Sequence, residues 1–288
     1  MSDGFALFSD RSVVAMRVDG ELKDLATTLT GTETVEAVHI DSPDGLNILR
    51  HSAAHVLAQA VQRINPQANL GIGPPITDGF YYDFGVDQPF TPEDVKAIDK
   101  EMQRIIREGQ RFTRRVVTDD EARIELADEP FKLELIGLKG SASHGDSGES
   151  VEVGAGELTI YDNVYPKTGE VCWKDLCRGP HVPSTRMLCN GWSLMRSAGA
   201  YWRGSEANPM LQRIYGTAWA SKDELRAYQT RLEEAAKRDH RKLGVEMDLF
   251  SFPDEIGSGQ AVFHPKGGII RHEIESYMRD ELLRNGYE

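Results

Sequence analysis

The chain has 288 residues and a mass of 32.1 kDa, enough for two or three modest domains. Its 40% hydrophobic and 27% charged residues exclude wholesale disorder and a collagen-like architecture. No apolar run approaches the ~18–20 residues of a membrane span, and the opening Met1-Ser2-Asp3-Gly4 lacks the basic and apolar regions of a signal peptide. With three cysteines, Cys172, Cys177 and Cys189, a secreted disulfide framework is not indicated, so a cytoplasmic location is expected. The net charge of −13 hides a basic stretch: Lys174 to Lys242 carries 13 Lys/Arg against 7 Asp/Glu. Phosphate attraction is screened beyond roughly 8–10 Å, so an acidic chain can still hold a polyanion there, although solvated helix faces give the same composition.

Along the chain, Val13–Val18, a turn at Asp19-Gly20, Glu21-Leu22 and Val35–Ile40 read as short strands, too few to bury a core alone. Ser42-Pro43-Asp44-Gly45 reads as a turn and boundary. A helix is predicted from Leu46 to Ile64, stopped by Asn65-Pro66. Gly71–Gly79 cannot be helical, and Phe80–Phe84 reads as a strand. Thr91-Pro92-Glu93-Asp94 opens a helix with an N-cap, Pro at N1 and acids in the first turn, ending at Gly109. Asp119–Ala127 is a shorter helix, and the glycines between Lys139 and Gly156 predict a flexible loop. Strand-like pieces run to Val171. Ser221-Lys222-Asp223-Glu224 is a capping-box sequence, predicting one exposed helix to Leu243 with Gly244 at its end. Residues 244–288 begin something new: Met247-Asp248-Leu249-Phe250 leads through a Gly-rich turn to Ala261-Val262-Phe263-His264, and a last helix spans Ile269–Arg284, with no partner for that unit in the chain.

Two short patterns carry chemistry. His51-Ser-Ala-Ala-His55 puts two imidazoles on one helix face, with small residues between them. Cys177-Arg178-Gly179-Pro180-His181 is predicted as a tight loop, because Pro180 opposes helix and Gly179 gives backbone freedom. Arg178 could lower the Cys177 thiol pKa. Each pattern alone is more often the mark of packed core residues. Together they form a set of three nitrogens and one sulfur, suited to a tetrahedral Zn²⁺ site or a water-activating cluster. His55 and Cys177 lie too far apart for a zinc finger, so the set is expected to assemble between distant elements, as in an enzyme cleft.

These two patterns, with Gly71-Ile72-Gly73-Pro74, Gly79-Phe80-Tyr81-Tyr82-Asp83, Asp175-Leu176, Ala200-Tyr201-Trp202-Arg203-Gly204, Leu211–Trp219 and Arg238–Gly244, resemble the threonyl-tRNA synthetase family in order and spacing. The two pairs also occur in the related editing domain of alanyl-tRNA synthetases, but Gln212–Trp219 and the helix after it resemble the threonyl enzyme.

The resemblance implies an α+β fold: an editing domain of mixed helices and antiparallel sheet, preceded by a partial β-grasp piece and followed by a connector helix. Its parts would be 1–42 (partial TGS-like remnant), 43–220 (editing domain), 221–243 (connector) and 244–288 (incomplete start of the class II aminoacylation domain). The implied reaction is hydrolysis of seryl-tRNA(Thr). Serine lacks one methyl of threonine, and a missing methylene gives only ~1–3 kcal/mol of discrimination, so a second hydrolytic sieve is the physical remedy. By family position His51, His55, Cys177 and His181 form the catalytic cluster. Lys132 would stabilise the oxyanion, Asp175 would orient a histidine or the substrate amine, and Tyr82 would line the pocket. Without the resemblance Lys132 reads as a solvated lysine at a strand end and Tyr82 as a core aromatic.

No cofactor is expected to be required for editing, with Zn²⁺ an option at the His/Cys cluster. The family's ATP, Mg²⁺ and catalytic Zn²⁺ sites would lie downstream, so ligase activity is not expected of this chain. The implied partner is tRNA(Thr) mischarged with serine, with no membrane involved, and the parent family is usually a homodimer. Alternatives are a free-standing trans-editing deacylase and a non-catalytic tRNA- or zinc-binding module.

Overall fold

The computed structural model describes residues 2–138 and 157–287; the glycine-rich loop expected at 139–156 lies outside them. The fold is α+β, and every strand pair is antiparallel. It divides into two compact units, Met1–Leu225 and Arg226–Glu288.

In the first unit, β1 (Val13–Val18) is the centre of a three-stranded sheet between β2 (Glu21–Lys23) and β3 (Val35–His39). Asp19 and Gly20 both have positive φ, 48° and 89°, which suits the two-residue turn joining β1 to β2. Val13, Met16, Leu25 and Leu29 form a small core on this sheet. Val14, Ala15 and Val38 join the main core with Ile48 and Leu49. The piece expected to be too small for a core of its own therefore gets the rest of its burial from the next helix.

That helix, α1 (Pro43–Ile64), begins a turn earlier than predicted. Ser42-Pro43-Asp44-Gly45 is its N-terminus and not a separate turn: Ser42 Oγ accepts the Gly45 N–H at 3.1 Å and Pro43 takes the first helical position. From Ile48 to Val61 every residue is buried, the mark of a helix enclosed on all sides. Arg50, 6% exposed, ties it to the main sheet by donating from Nε to the Ala218 carbonyl at 3.2 Å. That sheet has the order β10 (Trp192–Tyr201), β11 (Met210–Ala218), β6 (Gly79–Gly85), β4 (Asn69–Leu70), with β5 (Pro75–Ile76) also on β6.

The helix α2 (Pro92–Glu108) has the expected N-cap at Thr91, which forms a capping box with Asp94, and a left-handed Gly109 after it; it buries Ile98, Met102, Ile105 and Ile106. A second three-stranded sheet, β7 (Arg111–Val117), β8 (Leu158–Val164) and β9 (Val171–Leu176), follows. Between its first two strands lie α3 (Asp119–Glu125) and α4 (Pro130–Gly137). The latter corrects the strand-end placement of Lys132, which sits inside a helix with 0% exposure.

The predicted single helix from 221 to 243 is two. Segment α5 (Lys222–Lys237) buries no residue, and α6 (His240–Glu246) restarts where Asp239 accepts the Arg241 N–H at 2.8 Å. A short acceptor side chain competes with the helical ladder and acts as a fresh N-cap. Gly244 is consequently inside α6 and not beyond its end, with Phe250 against it. The second unit continues with β12 (Phe250–Ser251), β13 (Val262–Phe263) and α7 (Pro265–Arg284). The last helix also starts before its predicted Ile269, because Pro265 sets its first turn. Among the described residues no helix is long and apolar enough to cross a membrane.

Candidate active site

His51 and His55 project from the buried middle of α1, one turn apart. The loop after β9 brings Cys177 and His181 to the same point, so one ligand atom from each of the four lies within 4.8 Å of the others. Cys177 Sγ is 3.2 Å from His51 Nε2 and 3.5 Å from His181 Nε2. The His55 ring centroid is 5.2 Å from that of His51 and 4.2 Å from that of His181. Phe112 stacks on His181 at 4.7 Å, and Trp173 meets His55 edge-on at 5.6 Å.

Gly179 makes the loop possible. Its φ is +70°, and a Cβ there would lie 1.8 Å from the Tyr161 hydroxyl, so no other residue fits.

Burial fixes the protonation state. It pushes His51 down to about 3, with the Lys132 charge adding to the effect. His55 and His181 are driven well below the ordinary imidazole range by burial first, then by neighbouring imidazoles and, for His55, by Lys132. All three rings are neutral at pH 7, as ligands or hydrogen-bond acceptors must be.

The tautomer of His181 follows from Ser52. The Ser52 hydroxyl donates to the Ile48 carbonyl at 2.8 Å and accepts the Val182 N–H at 3.0 Å. Its remaining contact, 3.0 Å to His181 Nδ1, is then a hydrogen bond donated by the ring, which leaves the Nε2 lone pair facing Cys177.

A metal fits these donors. Tetrahedral Zn²⁺ with bonds of ~2.0 Å to nitrogen and ~2.3 Å to sulfur sets its ligands about 3.3–3.5 Å apart, near the two separations to Cys177. Among the described residues neither ring nitrogen of buried His55 has a hydrogen-bond partner, the condition a coordinate bond would relieve.

Behind the cluster is a buried charge pair. Lys132 Nζ lies 3.0 Å from Asp175 Oδ1, both side chains 0% exposed. The same oxygen accepts the Leu176 N–H at 2.8 Å, and Oδ2 accepts the Tyr82 hydroxyl at 2.5 Å. Burial raises the Asp175 carboxyl, and the lysine and tyrosine oppose that rise. His55 Nε2 is 3.9 Å from Oδ2, beyond hydrogen-bond reach. Asp175 thus orients Lys132 and Tyr82 directly and His55 only through its field. The Tyr82 ring stacks on Phe84 at 5.0 Å.

A cavity of about 810 Å³ opens onto the cluster; His51, Thr159, Tyr161, Gly179 and Pro180 are in its wall. Arg17, Lys23 and Asp24 of the N-terminal sheet and its β2 extension face it from the other side. Lys132, Asp175 and Tyr82 are not among the residues that line it. All seven residues singled out in the sequence lie in one neighbourhood, with His51 at the boundary between buried cluster and open space.

Three residues that sequence reasoning missed complete the surroundings: Ser52, Tyr161 and Asp24. Ser52 had a signal, its place inside the His-x3-His pattern. The other two had none. The basic stretch is less free than its composition suggests, since Lys174, Arg203, Arg213, Lys237 and Arg241 each hold a carboxylate within 3.3 Å.

Comparison with known proteins supports the relationship expected from the motifs. Residues 158–215 match the family described as the threonyl and alanyl tRNA synthetase second additional domain. The chain is 78% identical, over its full length, to a threonine–tRNA ligase of Leifsonia xyli subsp. xyli, of which the match covers 42%. It is 69% identical over 96% of its length to a Streptomyces griseus threonine–tRNA ligase, and 65% identical over 99% to one from Thermobifida fusca, covering 42% and 43% of those proteins. The chain therefore spans about two fifths of the length of the curated relatives it matches, and the resemblance to threonyl-tRNA synthetases holds from end to end of it.

Proposed function

We propose that residues 43–220 form an editing site that hydrolyses the ester of serine on tRNA(Thr), within an enzyme of the threonine–tRNA ligase kind. The observation that carries this is the convergence of His51, His55, Cys177 and His181 beside a cavity with His51 in its wall. In the proposed layout 1–42 is a partial TGS-like piece, 221–243 a connector, and 244–288 the start of an aminoacylation domain. The ligation of threonine would belong to the longer enzyme.

In the reaction a water oxygen bonds to the seryl carbonyl carbon. The carbonyl oxygen takes the negative charge, the bond to the ribose oxygen then breaks, and the proton lost by water ends on that oxygen. A base whose pKa is near 3 holds a proton poorly at pH 7. His51 is therefore assigned to orienting the water as a neutral acceptor, with the proton passing to the leaving ribose oxygen. Cys177 and His181 hold His51 in place. Lys132 supplies positive charge behind the developing oxyanion, and Asp175 with Tyr82 fixes the lysine. Zn²⁺ held by all four of His51, His55, Cys177 and His181 would have a filled tetrahedral shell and would fix the cluster, its Lewis acidity reaching the ester only with one position left open; we assign no obligatory cofactor to the hydrolysis.

The test is release of amino acid from seryl- and threonyl-tRNA(Thr) by the purified chain. Serine is expected to be released well ahead of threonine. Hydrolysis of neither, by folded protein, would remove the editing assignment.

A further inference from the structure

The carboxylate of Asp24, just after β2 in the N-terminal sheet, makes two bonds that cross 157 and 137 positions of sequence. Oδ1 accepts the backbone N–H of His181 at 2.9 Å, and Oδ2 accepts the Tyr161 hydroxyl at 2.6 Å. Tyr161 is fully buried; its ring meets the His181 imidazole edge-on at 4.5 Å. Its hydroxyl fills the space beside Gly179 that a Cβ would need. One carboxylate therefore grips the Cys177–His181 loop by its backbone and also by the aromatic ring that packs on its histidine. Asp24 stands in the cavity wall with Tyr161 and His51, so the grip is applied where the substrate would sit.

We infer that Asp24 is a positioning residue of the hydrolytic site, and that the N-terminal sheet is thereby a working part of it and not an appendage; this rests on the editing assignment above. The backbone of His181 fixes where its imidazole starts; Ser52 accepts the next N–H, that of Val182, and sets how the ring turns. Without Asp24 the loop keeps its Ser52 contacts at Val182 and the His181 ring but loses the carboxylate that ties the His181 N–H to Tyr161. Small displacements of groups that align a reactant lower the rate of the chemical step more than they weaken binding. The effect should accordingly fall on kcat.

Three variants of the full chain test this: Asp24→Ala, Asp24→Asn and Tyr161→Phe. Serine release is measured at a temperature where thermal melts show each at least nine-tenths folded. Asp24→Ala should lower kcat at least ~30-fold with KM for seryl-tRNA(Thr) within about twofold. Asp24→Asn keeps an acceptor for the His181 N–H and a donor for Tyr161, so it should restore kcat to within about fivefold of the wild type. Tyr161→Phe removes one bond while keeping the ring, so it should fall between the two. A second readout does not depend on the reaction. Alkylation of Cys177, followed by peptide mass spectrometry, should quicken at least ~10-fold in Asp24→Ala as the loop loosens.

If the wild type releases no serine, the editing assignment fails, and the alkylation rates still decide whether Asp24 holds the loop. If the wild type releases serine while folded Asp24→Ala keeps its kcat, the positioning role is overturned with editing intact. Should Asp24→Ala not fold, Tyr161→Phe decides on the same two readouts, with unchanged kcat and unchanged alkylation overturning the inference.

Discussion

Replacing Lys132 by Met removes the counter-charge of a carboxylate that has no exposure to solvent. The cavity left is small, because methionine fills most of the lysine volume, so the dominant cost is electrostatic. Breaking a buried pair from one side costs about 3–5 kcal/mol, and the Tyr82 and Leu176 bonds to Asp175 place the expectation at the lower end. For a unit the size of Met1–Leu225, each kcal/mol shifts Tm by about 2–4 °C, giving a fall of roughly 6–12 °C.

Burial already raises the Asp175 carboxyl above its usual 3.8, and loss of the ammonium raises it further. The folded variant then holds a proton that the unfolded chain releases. The deficit opens as pH climbs through 3.8 and is complete above the raised folded value. Calorimetric melts across that range should show the variant approaching the wild type only in acid. The double variant Lys132→Met/Asp175→Asn buries no charge and should recover most of the loss. A single variant that melts within about 2 °C of the wild type at pH 7.5 would refute the buried pair. The same reasoning makes Lys132→Ala a poor probe of catalysis alone, since lost activity and lost fold arrive together.

The imidazoles give a pH signature. Their folded pKa values lie below the unfolded value near 6.5, with His51 at about 3. The unfolded chain therefore binds the extra protons, and stability is full above about pH 7 and lost as pH falls through 6.5 toward 3. From pH 8 to 5.5 each ring removes about 1.4 kcal/mol, so the three together remove about 4 kcal/mol from the metal-free protein. Urea melts showing no loss over that interval would contradict neutral buried histidines. Chelator-stripped protein should take up one Zn²⁺, and Ser52→Ala, which deprives His181 Nδ1 of its acceptor, should weaken uptake roughly 10–100-fold; equilibrium dialysis that finds no zinc bound would contradict the ligand set. Gly179→Ala places a methyl within 1.8 Å of the Tyr161 hydroxyl at a φ of +70° and should abolish serine release while lowering Tm; a wild-type rate would mean that the loop geometry is unimportant.

The parts of the fold that the sequence announces are those governed by local chemistry. The N-cap at Thr91, the stop at Asn65-Pro66 and the Asp19-Gly20 turn are all where short-range rules put them. Local rules failed where two readings compete over a few residues. Ser42-Pro43-Asp44-Gly45 suits a turn and a helix start equally, and the burial of α1 decides for the helix. Helix α4 has no side-chain cap at Glu129, so its Phe131-Lys132-Leu133 segment looked like a strand. Asp239 breaks what the Ser221 start and the Gly244 end presented as one helix.

In the site, the spacing of His51 and His55 was legible because a helix turns every 3.6 residues. Their meeting with Cys177 and His181 was legible only through shared ligand chemistry and family likeness. Asp24 and Tyr161 were beyond reach, because contacts across 137 and 157 positions leave no local trace.

The most direct measurement is single-turnover serine release from seryl-tRNA(Thr) by the wild type and by His51→Gln, both checked by thermal melting. His51 is the cluster member in the cavity wall, so its replacement should slow release at least ~100-fold with little change in Tm. Equal rates from two equally folded proteins would contradict the claim that water is positioned at this cluster.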